Sequence, residues 1–216
     1  QRRLRLGLVG VAVDLVHALQ QGSDPPDHRA GPLAELIDID LTQDQQHQAA
    51  YLSINPAGKI PALQFPDGQV MTQSAAILLA LDEAHPEANL LPRSSITLRR
   101  DALRWLIFIV CEIYPLIEMY DYPSRVVPEA TDPRDVRETV KARLRERWKM
   151  VEAVAALPHF LPCGFSAIDL AIAMISSWHI GTVWRAAECP KIEAIALAVA
   201  RRDKAGAVWR RHTSAN

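Results

Sequence analysis

The stretch from Tyr51 to Pro92 constrains the chain more than any other, because an Asn-Pro break, a strand-opening proline, a tight turn and a helix start follow one another within it. Asn55-Pro56 and Gly58 interrupt the backbone, Pro61 begins a short apolar run, and Asp67-Gly68 turns that run back into Gln69 to Thr72. A short hairpin is therefore predicted. Gln73-Ser74 stands at the start of the helix that follows, ahead of Ala75, Ala76, Ile77, Leu78 and Leu81. The side chains and free amides of such a helix start face whatever lies beyond the strand ends, and they can hold a carboxylate.

This arrangement resembles the first domain of the glutathione transferase superfamily, which is thioredoxin-like and carries N-P-x-G-x-[VI]-P, a short strand pair and then [EQ]-S-x-A-I. Asn55, Pro56, Gly58, Ile60, Pro61, Gln73, Ser74, Ala76 and Ile77 all fit. The resemblance implies that the Ile60 backbone pairs with the cysteinyl part of glutathione, that Pro61 is cis, and that Gln73 and Ser74 grip the γ-glutamyl carboxylate. Lys59 either reaches the glycyl carboxylate or is an ordinary solvated lysine.

A second motif extends the likeness. In Phe165-Ser166-Ala167-Ile168-Asp169-Leu170, Ser166 can accept from the Asp169 amide while the Asp169 carboxylate returns the bond, and Phe165 and Leu170 stand where a hydrophobic staple needs them. The helix that follows is almost wholly apolar, so this capping pair is predicted to be buried and structural. A box of this kind heads the central helix of the superfamily's second, all-helical domain. The segment from Arg104 to Arg125, with its aromatic and Tyr-Pro content, further resembles a bacterial-type branch. The expected fold is thus an α/β thioredoxin-like domain over residues 1–86 followed by an all-α bundle domain over residues 95–216, with Pro86 to Ser95 as the linker.

Along the chain, Leu4 to Val9 reads as a first strand, Val11 to Gln21 as a helix, and Gly22 to Pro32 as a loop. Leu36 to Leu41 alternates like a strand, and Asp44 to Leu52 reads as a short polar helix. In the second domain, Thr97 to Tyr114 is apolar around nearly its whole circumference, and Pro115 bends or ends that helix. A helix with more apolar surface than one domain can cover predicts a two-fold homodimer. Arg134 to Leu157 places Val136, Val140, Leu144, Trp148, Val151 and Val154 on one stripe. Its seven Lys or Arg against three acids between Arg134 and Lys149 read as a solvated face.

Composition narrows the function classes. A chain of 216 residues fits one large or two modest domains, of which the resemblance implies two, and 49% apolar residues with 9 Gly argue for a folded, helix-rich protein. A net charge of -1 supplies no field to draw in nucleic acid or an acidic membrane. The three cysteines, Cys111, Cys163 and Cys189, show no C-x-x-C and no metal-ligand spacing, which predicts a reducing cytoplasm and no metal. Asp14 and His17 interrupt the apolar run after Arg2-Arg3 and no small-x-small site follows, so no secretory leader is expected. The run from Trp105 to Cys111 falls far short of the roughly 20 residues a bilayer crossing needs.

The chemistry implied by the resemblance requires a thiol with a pKa of about 8.5 to ionise at neutral pH, and making it ten times more acidic takes about 1.4 kcal/mol of preferential anion stabilisation. A Ser, Tyr or Cys just after strand one ordinarily stands there in the family. Here that turn reads Val9-Gly10-Val11-Ala12. Three accounts remain open: the backbone amides of Val11 and Ala12 stabilise the thiolate, or Arg2 to Val9 belongs to helix one with the catalytic loop upstream, or glutathione binds with little turnover. Trp105, Phe108 and Tyr114 either wall an apolar acceptor site, with Tyr120 and Tyr122, or belong to the core. The expected function is conjugation of the glutathione thiolate to small apolar electrophiles in cytoplasmic detoxification, with glutathione as co-substrate. The alternatives are a non-catalytic or weakly catalytic binding or interaction protein of the same fold, and a thiol-disulfide oxidoreductase or isomerase, which the missing turn cysteine disfavours.

Overall fold

The computed structural model describes residues 37–128 and 132–202. They fall into two compact units, one running to Leu90 and resuming at Ala200, the other spanning Leu91–Val199. The expected first strand, first helix and Gly22 to Pro32 loop lie outside the described residues.

In the first unit, helix α1 (Ala49–Leu52) leads through the Asn-Pro turn into strand β1 (Ala62–Gln64), strand β2 (Val70–Thr72) and helix α2 (Ser74–Ala84). The strands are antiparallel, with Ala62 opposite Thr72, Leu63 opposite Met71 and Gln64 opposite Val70. Their connection needs its Asp-Gly pair. Gly68 sits at φ +88°, where a side chain is strained, and the Asp67 carboxylate accepts from the Gln69 amide at 2.9 Å. Ile77, Leu78, Leu81 and Leu90 form the buried side of this unit.

Two sequence expectations fail here for the same local reason. Ile37 to Asp40 form no strand, and Leu41–Gln43 is a 3₁₀ turn. The Asp40 amide donates to Gln45 Oε1 at 2.8 Å, and its carbonyl accepts from the amides of Gln43 and Gln45. The backbone groups a strand ladder would use are thus consumed by a turn. The helix expected from Asp44 to Leu52 is split into a 3₁₀ turn, Gln45–His47, and the four residues of α1, because Asp44 is left-handed at φ 55°.

The second unit is helical: α3 (Ile96–Phe108), α4 (Tyr114–Asp121), α5 (Pro133–Val154), α6 (Ala167–Ile175), α7 (Thr182–Glu188) and α8 (Pro190–Ala200). Of the two outcomes expected at Pro115, a bend or an end, the helix does not end there. A π turn, Ile109–Ile113, joins α3 to α4, and Pro115 falls in the first turn of α4, directly after that widened turn. α3 packs on α6, and α4 lies along α5. α5 begins at Pro133 behind Asp132, whose carboxylate accepts from the Arg134 amide at 2.8 Å. It stops at Val154, short of Leu157: Ala155 is already extended, and Pro158 disfavours a helical conformation at Leu157. Val140, Leu144, Trp148 and Val151 form its buried stripe, while Val154 is exposed. Every residue of α6 is buried, which makes it the axis of this unit.

Candidate functional site

The turn from Asn55 to Pro61 is built by backbone and side-chain bonds to itself. Asn55 is buried, its Oδ1 accepts from the Ala57 amide at 3.2 Å, and its carbonyl accepts from the Gly58 amide at 2.9 Å. Gly58 has φ +60°, and a Cβ there would stand 2.6 Å from the His47 ring, so a larger residue is opposed both by conformation and by contact. The Tyr51 hydroxyl donates to the Lys59 carbonyl at 2.7 Å, and Asn55 Nδ2 donates to the same oxygen. Burial pushes the Tyr51 phenol up, with the Asn55 hydrogen bond opposing, so it remains a donor at neutral pH. The Ile60–Pro61 peptide is cis, as the resemblance implied. Neither the amide nor the carbonyl of Ile60 has a hydrogen-bond partner among the described residues.

The hairpin brings this turn to the helix start. The ladder ends at the Ala62–Thr72 pair, so Ile60, two residues before β1, and Gln73-Ser74, directly after β2, both lie beyond the same end of the strand pair. Gln73 is held at φ 71°, ψ 115°, a conformation that side chains rarely adopt, while its carbonyl accepts the first helical bond from the Ile77 amide at 3.0 Å. Its side chain is exposed and makes no capping bond, and Ser74 is half-buried. The opening amides of this 11-residue helix receive no side-chain cap from Gln73, and such a helix start favours an anion. A peptide that offers a backbone edge to Ile60 and a carboxylate to Gln73-Ser74 fits this arrangement. Lys59 is exposed at the tip of the turn.

The other expected residues are scattered more widely. Val11 and Ala12 lie outside the described residues. Trp105 is buried, edge-on to Phe108 at 5.1 Å and to Phe160 at 5.8 Å, with the Arg104 guanidinium 4.7 Å above its ring. Tyr114 is exposed and packs edge-on against Trp178 at 6.2 Å. The capping box at Ser166 and Asp169 is present and buried, with the Asp169 carboxylate accepting from the Ser166 amide at 2.8 Å. Its other oxygen accepts from the Phe160 amide at 2.8 Å, a bond that sequence reasoning missed because its donor lies in the preceding loop. Burial pushes the Asp169 carboxyl up, while the Phe160 and Ser166 bonds and the His159 side chain pull it down. The parts played by Tyr51 and His47 were missed as well; the only signal was the placing of Tyr51 one helical turn before Asn55. Among the described residues, no three or more His, Cys, Asp or Glu are grouped to hold a metal ion, and no helix is long and apolar enough to cross a membrane.

Comparison with known proteins agrees with this geometry. Residues 31–84 match the family model of the glutathione S-transferase N-terminal domain. The chain is 41% identical over 83 residues to maleylacetoacetate isomerase of Pseudomonas aeruginosa, a match spanning 37% of this chain and only 38% of that protein. It is 27% identical over 147 residues to glutathione S-transferase GstA of Escherichia coli O157:H7, covering 66% of this chain and 69% of the relative. Among solved structures, a glutathione transferase homolog from Sulfitobacter with bound glutathione superposes with a TM-score of 0.78 over 93% of each chain at 22% identity. A glutathione transferase from Methylococcus capsulatus superposes with a TM-score of 0.70, covering 93% of this chain and 92% of the other at 25% identity.

Proposed function

We propose a function from one premise: the chain belongs to the glutathione transferase superfamily. It binds glutathione through the Ile60 backbone and the Gln73-Ser74 start of α2, and it delivers the thiolate to small apolar electrophiles in cytoplasmic detoxification. The observation that supports this reading is the hairpin, beyond one end of which lie both the Ile60 backbone, without a partner among the described residues, and a strained Gln73 at a helix start. Ile60 pairs with the cysteinyl backbone, Gln73 and Ser74 take the γ-glutamyl carboxylate, and Lys59 reaches for the glycyl carboxylate. The backbone amides of Val11 and Ala12 stabilise the thiolate. Trp105, Phe108 and Tyr114 supply the apolar acceptor wall. The working form is a homodimer, supported by the exposure of Ile107, Cys111 and Tyr114 along the α3–α4 rod.

The isomerase likeness favours a second reading of the same site, in which the thiolate adds to the substrate and leaves again, so that glutathione is not consumed. Following glutathione concentration during turnover separates the two. The test of the shared site is calorimetric titration of the double variant Gln73→Ala, Ser74→Ala. With roughly 1.5 to 3 kcal/mol for each bond to a charged group, losing two should lower the affinity for glutathione by about a hundredfold or more. A double variant that binds as tightly as the parent would remove the assignment.

A further inference from the structure

We infer that Tyr51 is a positioning residue for glutathione: its hydroxyl, together with the Asn55 side-chain amide, clamps the Lys59 carbonyl and so turns the Ile60 N–H toward the bound tripeptide. The inference rests on the reading of Ile60 and Gln73-Ser74 as the glutathione site.

The geometry follows from the planarity of the peptide. The Lys59–Ile60 bond is trans, so its C=O and N–H point in opposite directions. Whatever fixes the carbonyl inward fixes the amide outward. A single donor on that oxygen leaves the peptide plane free to swing about its axis; two donors, one from α1 and one from the turn, hold it. The clamp matters at this place because Gly58, immediately before Lys59, supplies a backbone joint at φ +60°. It matters also because Pro61, immediately after Ile60, has no N–H to offer instead. The Ile60 amide is thus the sole donor between Lys59 and β1, and among the described residues it is left without a partner. Tyr51 is buried and does not itself touch the ligand; it acts through the peptide it holds.

Tyr51→Phe keeps the buried ring and removes only the hydroxyl, and the Lys59 carbonyl retains its bond from Asn55, so the variant should fold. Two ligands are titrated into the full chain: glutathione, and γ-glutamylethylamide, which carries the γ-glutamyl carboxylate but lacks the cysteinyl carbonyl that would accept from the Ile60 N–H. The expected result is that Tyr51→Phe weakens glutathione by about three- to tenfold and leaves the fragment unchanged. Ser53→Ala, which removes a hydroxyl bond to the Ala50 carbonyl at the end of the same helix, serves as a control and should change neither. Equal weakening of both ligands would make Tyr51 a structural residue only, and unchanged binding of both would leave the clamp without effect; either outcome overturns the proposal. If the parent itself fails to bind glutathione, the site reading falls and takes the clamp with it.

Discussion

Of the three thiols in the chain, two are exposed and one is buried. Cys163 is exposed in the turn before α6, Cys111 is exposed in the π turn, and Cys189 is buried between α7 and α8. Burial, then the negative charge of Glu152, with Glu188 adding and Lys149 opposing, push the Cys189 thiol up to about 11. A thiol whose folded value is raised favours the folded state fully below its unfolded value of 9.0, and that contribution is lost as pH rises through about 11. At about pH 8, below both values, a colorimetric disulfide reagent should therefore modify Cys163 promptly and Cys189 only after denaturant is added. Prompt labelling of Cys189 in the native protein would contradict its placement. At this scale the residues of the proposed site stood out in the sequence, since Ile60, Gln73 and Ser74 belong to two neighbouring short motifs. It hid Tyr51 and His47, whose roles depend on which carbonyl or glycine they meet across the turn.

Among the elements, α6 depends most on a single side chain. The Asp169 carboxylate satisfies the amides of Ser166 and Phe160 in a buried place that water does not reach. Asp169→Ala leaves both donors orphaned, and chemical denaturation should show a loss of about 2 to 5 kcal/mol. Ser166→Ala removes only the hydroxyl and should cost about 0.5 to 2 kcal/mol. Equal losses would mean that the Phe160 bond contributes nothing. The box was legible because helix starts are written in adjacent residues, and the hairpin was legible because Asp67-Gly68 admits few other conformations. The strand expected at Leu36 to Leu41 was illegible for the opposite reason. Its alternation was real, but the Gln45 side chain, five residues along, captures the Asp40 amide.

For the molecule as a whole, the two-domain order was legible through the family resemblance of the two motifs, whereas the proposed assembly depends on a face that is exposed in one chain. Ile107, Cys111 and Tyr114 are all exposed on the rod formed by α3, the π turn and α4. Sedimentation at micromolar concentration should give a species near twice the 24.0 kDa of the chain. Ile107→Glu should return it to the monomer, because a charge buried without a partner is costly. A parent that sediments as a monomer would refute the assembly.

The π turn gives that rod a property that neither of its helices has alone. Each extra residue in a helix advances the direction of the side chains by about 100°. Ile109–Ile113 makes room for one, so α4 runs out of phase with α3 although the backbone continues without a break. The rod acts like a shaft with an offset keyway: before the offset it is keyed to α6, and after it to α5. Two neighbours lying in different directions are thereby engaged by one length of chain, and neither has to be displaced to suit the other.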